Sequence, residues 1–218
     1  MSDERVASAT AERDGDTERR ILQAARKVFV RRGTAGARMQ EIAAEAGVNQ
    51  ALLHYYFRSK DRLADAVFLE AAGRLLPAVA QVLGSDASLE DKVEQFVHLY
   101  IDTVRHSPFL PGYVLSEMHH HPERLAAVKD AVRVPTAALA QTLLQRLGAQ
   151  LQERAAAGTM RPIAPEQFVV NLLGLVVMPF VARPLLNAAF GLDAEAFERF
   201  LDERRAELPG FILNALRP

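Results

Sequence analysis

The sequence predicts an all-α protein: an N-terminal three-helix unit containing a helix-turn-helix, then a longer helical body, about nine helices in total. Three observations lead there. Alternating runs of Val, Ile and Thr between turn clusters, the mark of strands, are hard to find. Apolar residues recur instead at helical spacing, as in Ile21, Ala25, Val28 and Phe29. Charge is also uneven: residues 17–64 carry a net +6, the first sixteen −3, and the remainder from Asp65 −4. A nearly neutral chain with a basic head attracts phosphate locally without adhering to it everywhere.

The rest of the composition narrows the class. At 218 residues the chain can bury a sizeable core. It has no cysteine, so disulfides and Cys-based zinc sites are excluded, and a cytoplasmic location is expected. Residues 1–16 are polar, lack an apolar signal-peptide core and are expected as a disordered arm. The longest apolar stretch, Phe168 to Ala182, is interrupted by Asn171, Gly174 and Pro179. It is shorter than the roughly 20 residues a membrane span needs, so it reads as a buried helix with no membrane partner. There is no nucleophile elbow, phosphate loop or HExxH, and His98 and Asp102 read as ordinary helix residues. No enzyme activity and no cofactor are expected.

Residues 17–62 form the predicted head and 63–218 the body. The first helix is expected from Thr17, its N-cap, to Gly33, with Arg19, Arg20, Arg26, Lys27, Arg31 and Arg32 on its polar faces. The second runs from Met39 to Ala46, with Met39, Ile42, Ala43 and Ala46 inward. Gly47 should end it at positive φ, a conformation only glycine takes cheaply. Asn49 caps a third helix reaching Phe57. Two such short helices across a Gly-containing turn make a helix-turn-helix.

A long fourth helix follows from Ser59 to about Gly84, and a fifth from the Ser88–Asp91 capping box to about His106. A short helix spans Leu110 to His119. A long one spans Glu123 to Ala157, with a kink expected at Pro135. Pro165 opens the eighth, with bends expected at Pro179 and Pro184. The ninth covers Ala194 to Leu216, disturbed at Pro209–Gly210.

The spacing G-V-x4-L-x2-Y-F-x-S-K-D-x-L, from Gly47 to Leu63, resembles the DNA-binding domain of the TetR family of bacterial transcription regulators. Ala24–Ala25, Phe29, Gly33, Ile42–Ala43 and Ala46 add to the resemblance, which covers about a fifth of the chain. Small departures stand at Arg38, Asn49, Ala51 and His54, where the family often has Ser or Thr, Ser or Thr, Gly, and Tyr. The resemblance implies a homodimer on a palindromic double-stranded operator, and a body that binds a small-molecule effector and pivots the fourth helix. The implied function is a ligand-released repressor.

Candidate residues follow from position. A helix in the major groove offers its N-terminal side chains to base edges. Gln50 is the best base reader, since its amide matches adenine N7 and N6. Asn49 has the same chemistry, but capping occupies its oxygen. His54, one turn on, is placed for a base or a phosphate. Arg38 is placed for the backbone, and Tyr55 and Lys60 resemble the family's phosphate contacts. For an effector pocket the apolar candidates are Phe68, Phe96, Tyr100, Phe109, Tyr113, Met118 and Met178, with His98, Asp102, Arg105, Glu117 and Asn171 as polar anchors. Glu117 and His119–His121 raise an alternative, a metal-sensing regulator, because Glu117 and His121 stand four residues apart. A dimer interface is expected through the eighth and ninth helices, with the stripe Phe197, Phe200, Leu201, Leu208, Phe211 and Ile212 on the last.

Overall fold

The structure, a computed structural model, describes residues 2–108, 110–123 and 136–218. Among the described residues there are ten helices and no strand. They are α1 (Ser2–Gly36), α2 (Met39–Ala46), α3 (Gln50–Phe57), α4 (Lys60–Gly84) and α5 (Leu89–Val104). After them come α6 (Leu110–His120), α7 (Thr136–Ala156), α8 (Pro165–Val181), α9 (Arg183–Phe190) and α10 (Ala194–Asn214). The chain divides into two compact units, Met1–Ala71 with Ser116–Ala127, and Ala72–Leu115 with Val128–Pro218. The boundary therefore falls inside α4 and α6.

In the first unit, Ile21, Val28 and Phe29 of α1 close a core with Ile42 of α2, Leu53 and Phe57 of α3, and Leu63, Val67 and Phe68 of α4. α1 starts at Ser2 rather than at Thr17, so helix replaces the unstructured arm expected there. Ala7, Ala9, Ala11 and the flanking Glu and Arg residues are strong helix formers, and continuing an existing helix avoids a new nucleus. Gly33 breaks the helix as expected, at φ 67° and ψ 164°. The connector behind it is gripped twice. Lys60 Nζ donates to the carbonyls of Ala35 (3.0 Å) and Ala37 (3.3 Å), and the buried Thr34 hydroxyl donates to the buried Glu117 carboxylate of α6 at 2.6 Å.

In the second unit, α5, α7, α8 and α10 share one core. α5 starts on the expected box: Ser88 Oγ accepts from the Asp91 N–H and donates to its carboxylate. α10 packs on α5, where Arg205–Asp102 and Arg105–Asp202 ion pairs tie the two together. The expected seventh helix is described only from Thr136; residues 124–135, with the Pro135 kink, lie outside the described residues. α8 includes Pro179 and stops at Val181, and α9 leaves at 67° with Pro184 in its first turn. α10 is helical through Pro209 to Asn214, with the backbone bond that proline cannot donate forfeited there. No single described helix is long and apolar enough to cross a membrane, although the bent pair α8–α9 passes that test by length and composition together.

The stripe expected to form a dimer interface is mostly interior. Phe197, Leu201, Leu208 and Ile212 are buried in the core of their own unit and Phe200 packs against it; of the six only Phe211 is exposed. An amphipathic stripe records that a face is covered, not by what, and here α5 and α8 cover it.

Candidate nucleic-acid interface

The turn between α2 and α3 is built from backbone geometry. Gly47 adopts φ 64° and ψ 35°. Its N–H reaches the Ala44 carbonyl at 3.2 Å and the Val48 N–H reaches Ala43 at 3.0 Å, the paired bonds of a Schellman motif. Asn49 Oδ1 then accepts from the Leu52 N–H at 2.7 Å and starts α3. Leu53 and Phe57 bury one side of α3, which leaves Gln50, Ala51, His54, Tyr55 and Arg58 exposed on the other. Tyr55 is 74% exposed.

Three of the six residues read from the sequence, Gln50, His54 and Tyr55, share this surface. Gln50 and His54 stand one turn apart on it, and Arg38 is exposed at the N-cap of α2. His54 Nδ1 lies 3.2 Å from the Arg58 carbonyl, which can only accept. In the neutral ring Nδ1 therefore carries the proton and Nε2 is an acceptor. The Lys60 ammonium is engaged with Ala35 and Ala37. Arg58 closes α3 at φ 55°, unusual for a side-chain-bearing residue, and no sequence signal beyond the motif's free position marked it.

Part of the head's positive charge is locally paired. Lys27, Arg31 and Arg32 of α1 pair with Glu41 and Glu45 of α2 at 3.2–3.7 Å. Arg31 and then Lys27, by hydrogen bonding, hold the Glu45 carboxyl below its ordinary range. Asp16 pairs with Arg19. Sequence reasoning missed a further contact: Tyr56 Oη donates to Asp14 Oδ1 at 2.9 Å, joining α3 to the N-terminal part of α1. That hydrogen bond to Asp14 raises the phenol's pKa. No spacing rule connects positions 14 and 56.

The described effector candidates are divided between the two units. Phe68 is buried in the first unit's core, and Met118 is half-buried in that unit. Phe96 and Tyr100 fill the second unit's core, where ring centroids run from Phe96 to Tyr100 (6.2 Å), Phe180 (6.0 Å) and Phe197 (6.2 Å). Burial raises the Tyr100 phenol's pKa. Tyr113 is also buried, Met178 is 56% exposed, and Phe109 lies outside the described residues. A groove of about 540 Å³ with mainly apolar walls lies between α4 and α7 and is lined by Pro77, Ala80, Thr142 and Leu143 among others.

The histidines diverge as well. His120 Nδ1 bonds to the Ser116 carbonyl (2.8 Å), His121 Nδ1 faces Glu123 (3.1 Å), and Glu117 accepts from Thr34. Among the described residues no three His, Cys, Asp or Glu side chains converge as metal ligands.

Residues 21–67 match the family described as bacterial regulatory proteins, tetR family. The HTH-type transcriptional activator FasR of Mycolicibacterium smegmatis is 33% identical over 122 residues, 55% of each chain. The HTH-type transcriptional repressor NicS of Pseudomonas putida is 29% identical over 116 residues, 53% of this chain and 55% of that one. The chain thus spans about half the length of the curated relatives it matches. A TetR family transcription regulator from Marinobacter aquaeolei superposes with a TM-score of 0.64 over 95% of this chain and 98% of its own, at 18% identity, a likeness of fold.

Proposed function

Because the chain belongs to the tetR family of bacterial regulatory proteins, we propose that it is a sequence-specific, DNA-binding transcriptional regulator of the cytoplasm, a repressor that a small molecule releases from its operator. The observation that carries this reading is the outer face of α3, where Gln50, His54 and Tyr55 stand exposed on a short helix fixed at both ends. Gln50 pairs with adenine, a contact that discriminates by about 1–3 kcal/mol. Arg38 and Tyr55 hold phosphates, which set register without choosing sequence. Asn49 orders the helix, and Lys60 orders the connector before α2 while adding to the positive field.

The active form is a homodimer that sets two α3 helices about 34–36 Å apart on a palindrome. Its interface is the exposed face of α8, where Val170, Leu173, Gly174, Met178 and Val181 recur at helical spacing, extended by Leu185 and Phe190 of α9. Contiguous apolar surface of this kind marks an interaction site. The effector binds in the body, and the α4–α7 groove is its candidate site. It releases DNA only to the extent that it prefers the conformation in which the heads are wrongly spaced.

Selection of bound duplexes from a random library, repeated with Gln50→Ala, tests this. The expected result is a palindrome with half-sites about one helical turn apart, whose adenine preference relaxes in the variant. Recovery of no enriched sequence at moderate salt would sink the reading.

A further inference from the structure

We propose that the acidic N-terminal part of α1 acts as a charge brake on the head, with Asp14 and Asp16 holding down its affinity for duplex DNA of arbitrary sequence. The inference rests on the DNA-binding reading of α3.

Four observations carry it. The first sixteen residues bring five carboxylates against two guanidinium groups, and helix continues through them into the basic segment. The extension is fastened to α3: the Tyr56 hydroxyl donates to Asp14 across 42 positions of sequence. Tyr56 in turn meets Tyr55 edge-on, ring centroids 5.3 Å apart, and Tyr55 stands exposed on the outer face. One neighbouring ring therefore links the Asp14 carboxylate to the surface offered to DNA. Finally, Asp16 pairs with Arg19, a cation otherwise available to a phosphate.

The sign follows from Coulomb's law. Phosphates drawn to α3 come within a Debye length, about 10 Å at 0.1 M salt, of charge of their own sign. Binding without sequence preference depends on phosphate neutralisation and counterion release, so each carboxylate held there and each arginine occupied weakens it. Specific binding adds base contacts that the brake leaves untouched. The fastening matters because an unattached acidic tail would swing away as DNA approached, whereas the Tyr56–Asp14 bond holds the charge in place.

The test uses the full-length protein and a labelled duplex of random sequence, titrated from low to moderate salt. The double variant Asp14→Asn with Asp16→Asn removes the charge but leaves an amide oxygen for Tyr56. It is expected to bind roughly three- to tenfold more tightly at about 0.1 M salt, with the gap narrowing as salt rises. Tyr56→Phe keeps the carboxylates and removes the fastening, and is expected to give a smaller gain in the same direction. Equal or weaker binding by the Asn variant, with its melting temperature unchanged, would overturn the brake and make the extension a DNA contact or a bystander. Failure of wild type and variant alike to bind duplex at low salt would instead remove the reading of α3 on which the brake depends.

Discussion

The guanidinium of Arg204 on α10 donates to the main-chain carbonyl of Leu175 on α8 at 2.7 Å. Leu175 is the residue whose helical partner four positions on is Pro179, which has no N–H to give. An arginine from a neighbouring helix thus replaces a missing backbone donor, and burial lowers that guanidinium's pKa. This bond satisfies the Leu175 carbonyl that Pro179 leaves without a partner inside α8.

Arg204→Met is therefore expected to cost about 1–3 kcal/mol, the cost of leaving a half-buried acceptor unpaired. In a Pro179→Ala background the helix supplies its own N–H, so the same change should cost much less. Urea melts of the four proteins of this cycle decide the point; an equal cost in both backgrounds would refute the substitution of one donor for the other.

Stability and assembly should separate cleanly between two sets of apolar residues. Phe197→Ala removes a fully buried ring and is expected to cost about 3–5 kcal/mol. Met178→Ser together with Val170→Ser should leave the melting temperature of the protomer nearly unchanged while shifting sedimentation from dimer to monomer. If Met178 and Val170 proved neutral for assembly, the interface would lie elsewhere.

On DNA, Gln50→Ala and Arg38→Ala should fail differently. The first relaxes preference at one base pair by about 1–3 kcal/mol and leaves the salt dependence alone. The second weakens binding to every sequence and lowers the salt slope by about 1. Lys60→Ala is expected to weaken binding to every sequence through a loosened connector, seen as faster amide exchange at residues 34–37. Reversed assignments in a fluorescence titration would exchange the roles.

Acid sensitivity has a local source in the second unit. The Arg154 guanidinium, by hydrogen bonding, holds the Glu90 carboxyl below its ordinary range. A depressed folded-state pKa means the contribution is complete above the unfolded value, about 4.3, and is lost as pH falls through the lowered one. Glu90→Gln should thus lower the urea midpoint slightly at pH 7 and flatten its decline below about pH 4.5. The effect is small because solvent screens both groups. An unchanged acid limb would exclude this pair as its cause.

The head was legible because its signals are local. Gly33 and Gly47 mark positive φ, and Asn49, Ser59 and Ser88 cap the helices they precede. The outer face of α3 follows from the same periodicity, so five of the six DNA candidates stand exposed as read. What local signals left open were questions about partners distant in sequence. The stripe on α10 announced a covered face, yet nothing in its spacing distinguished α5 and α8 from a second copy. Phe96 and Tyr100 looked equally suited to a pocket wall and to the ring stack they build. Lys60 had the right type and place for a phosphate, while its use on two carbonyls depends on where the connector folds.

Thr34 and Glu117 are buried partners 83 positions apart. Changing one takes this hydrogen bond from the other, whereas changing both together removes donor and acceptor at once. The two sites therefore form one genetic unit. In a laboratory selection for restored function, a chain crippled by Thr34→Val should recover less often through neighbours of position 34 than through a second-site change at position 117.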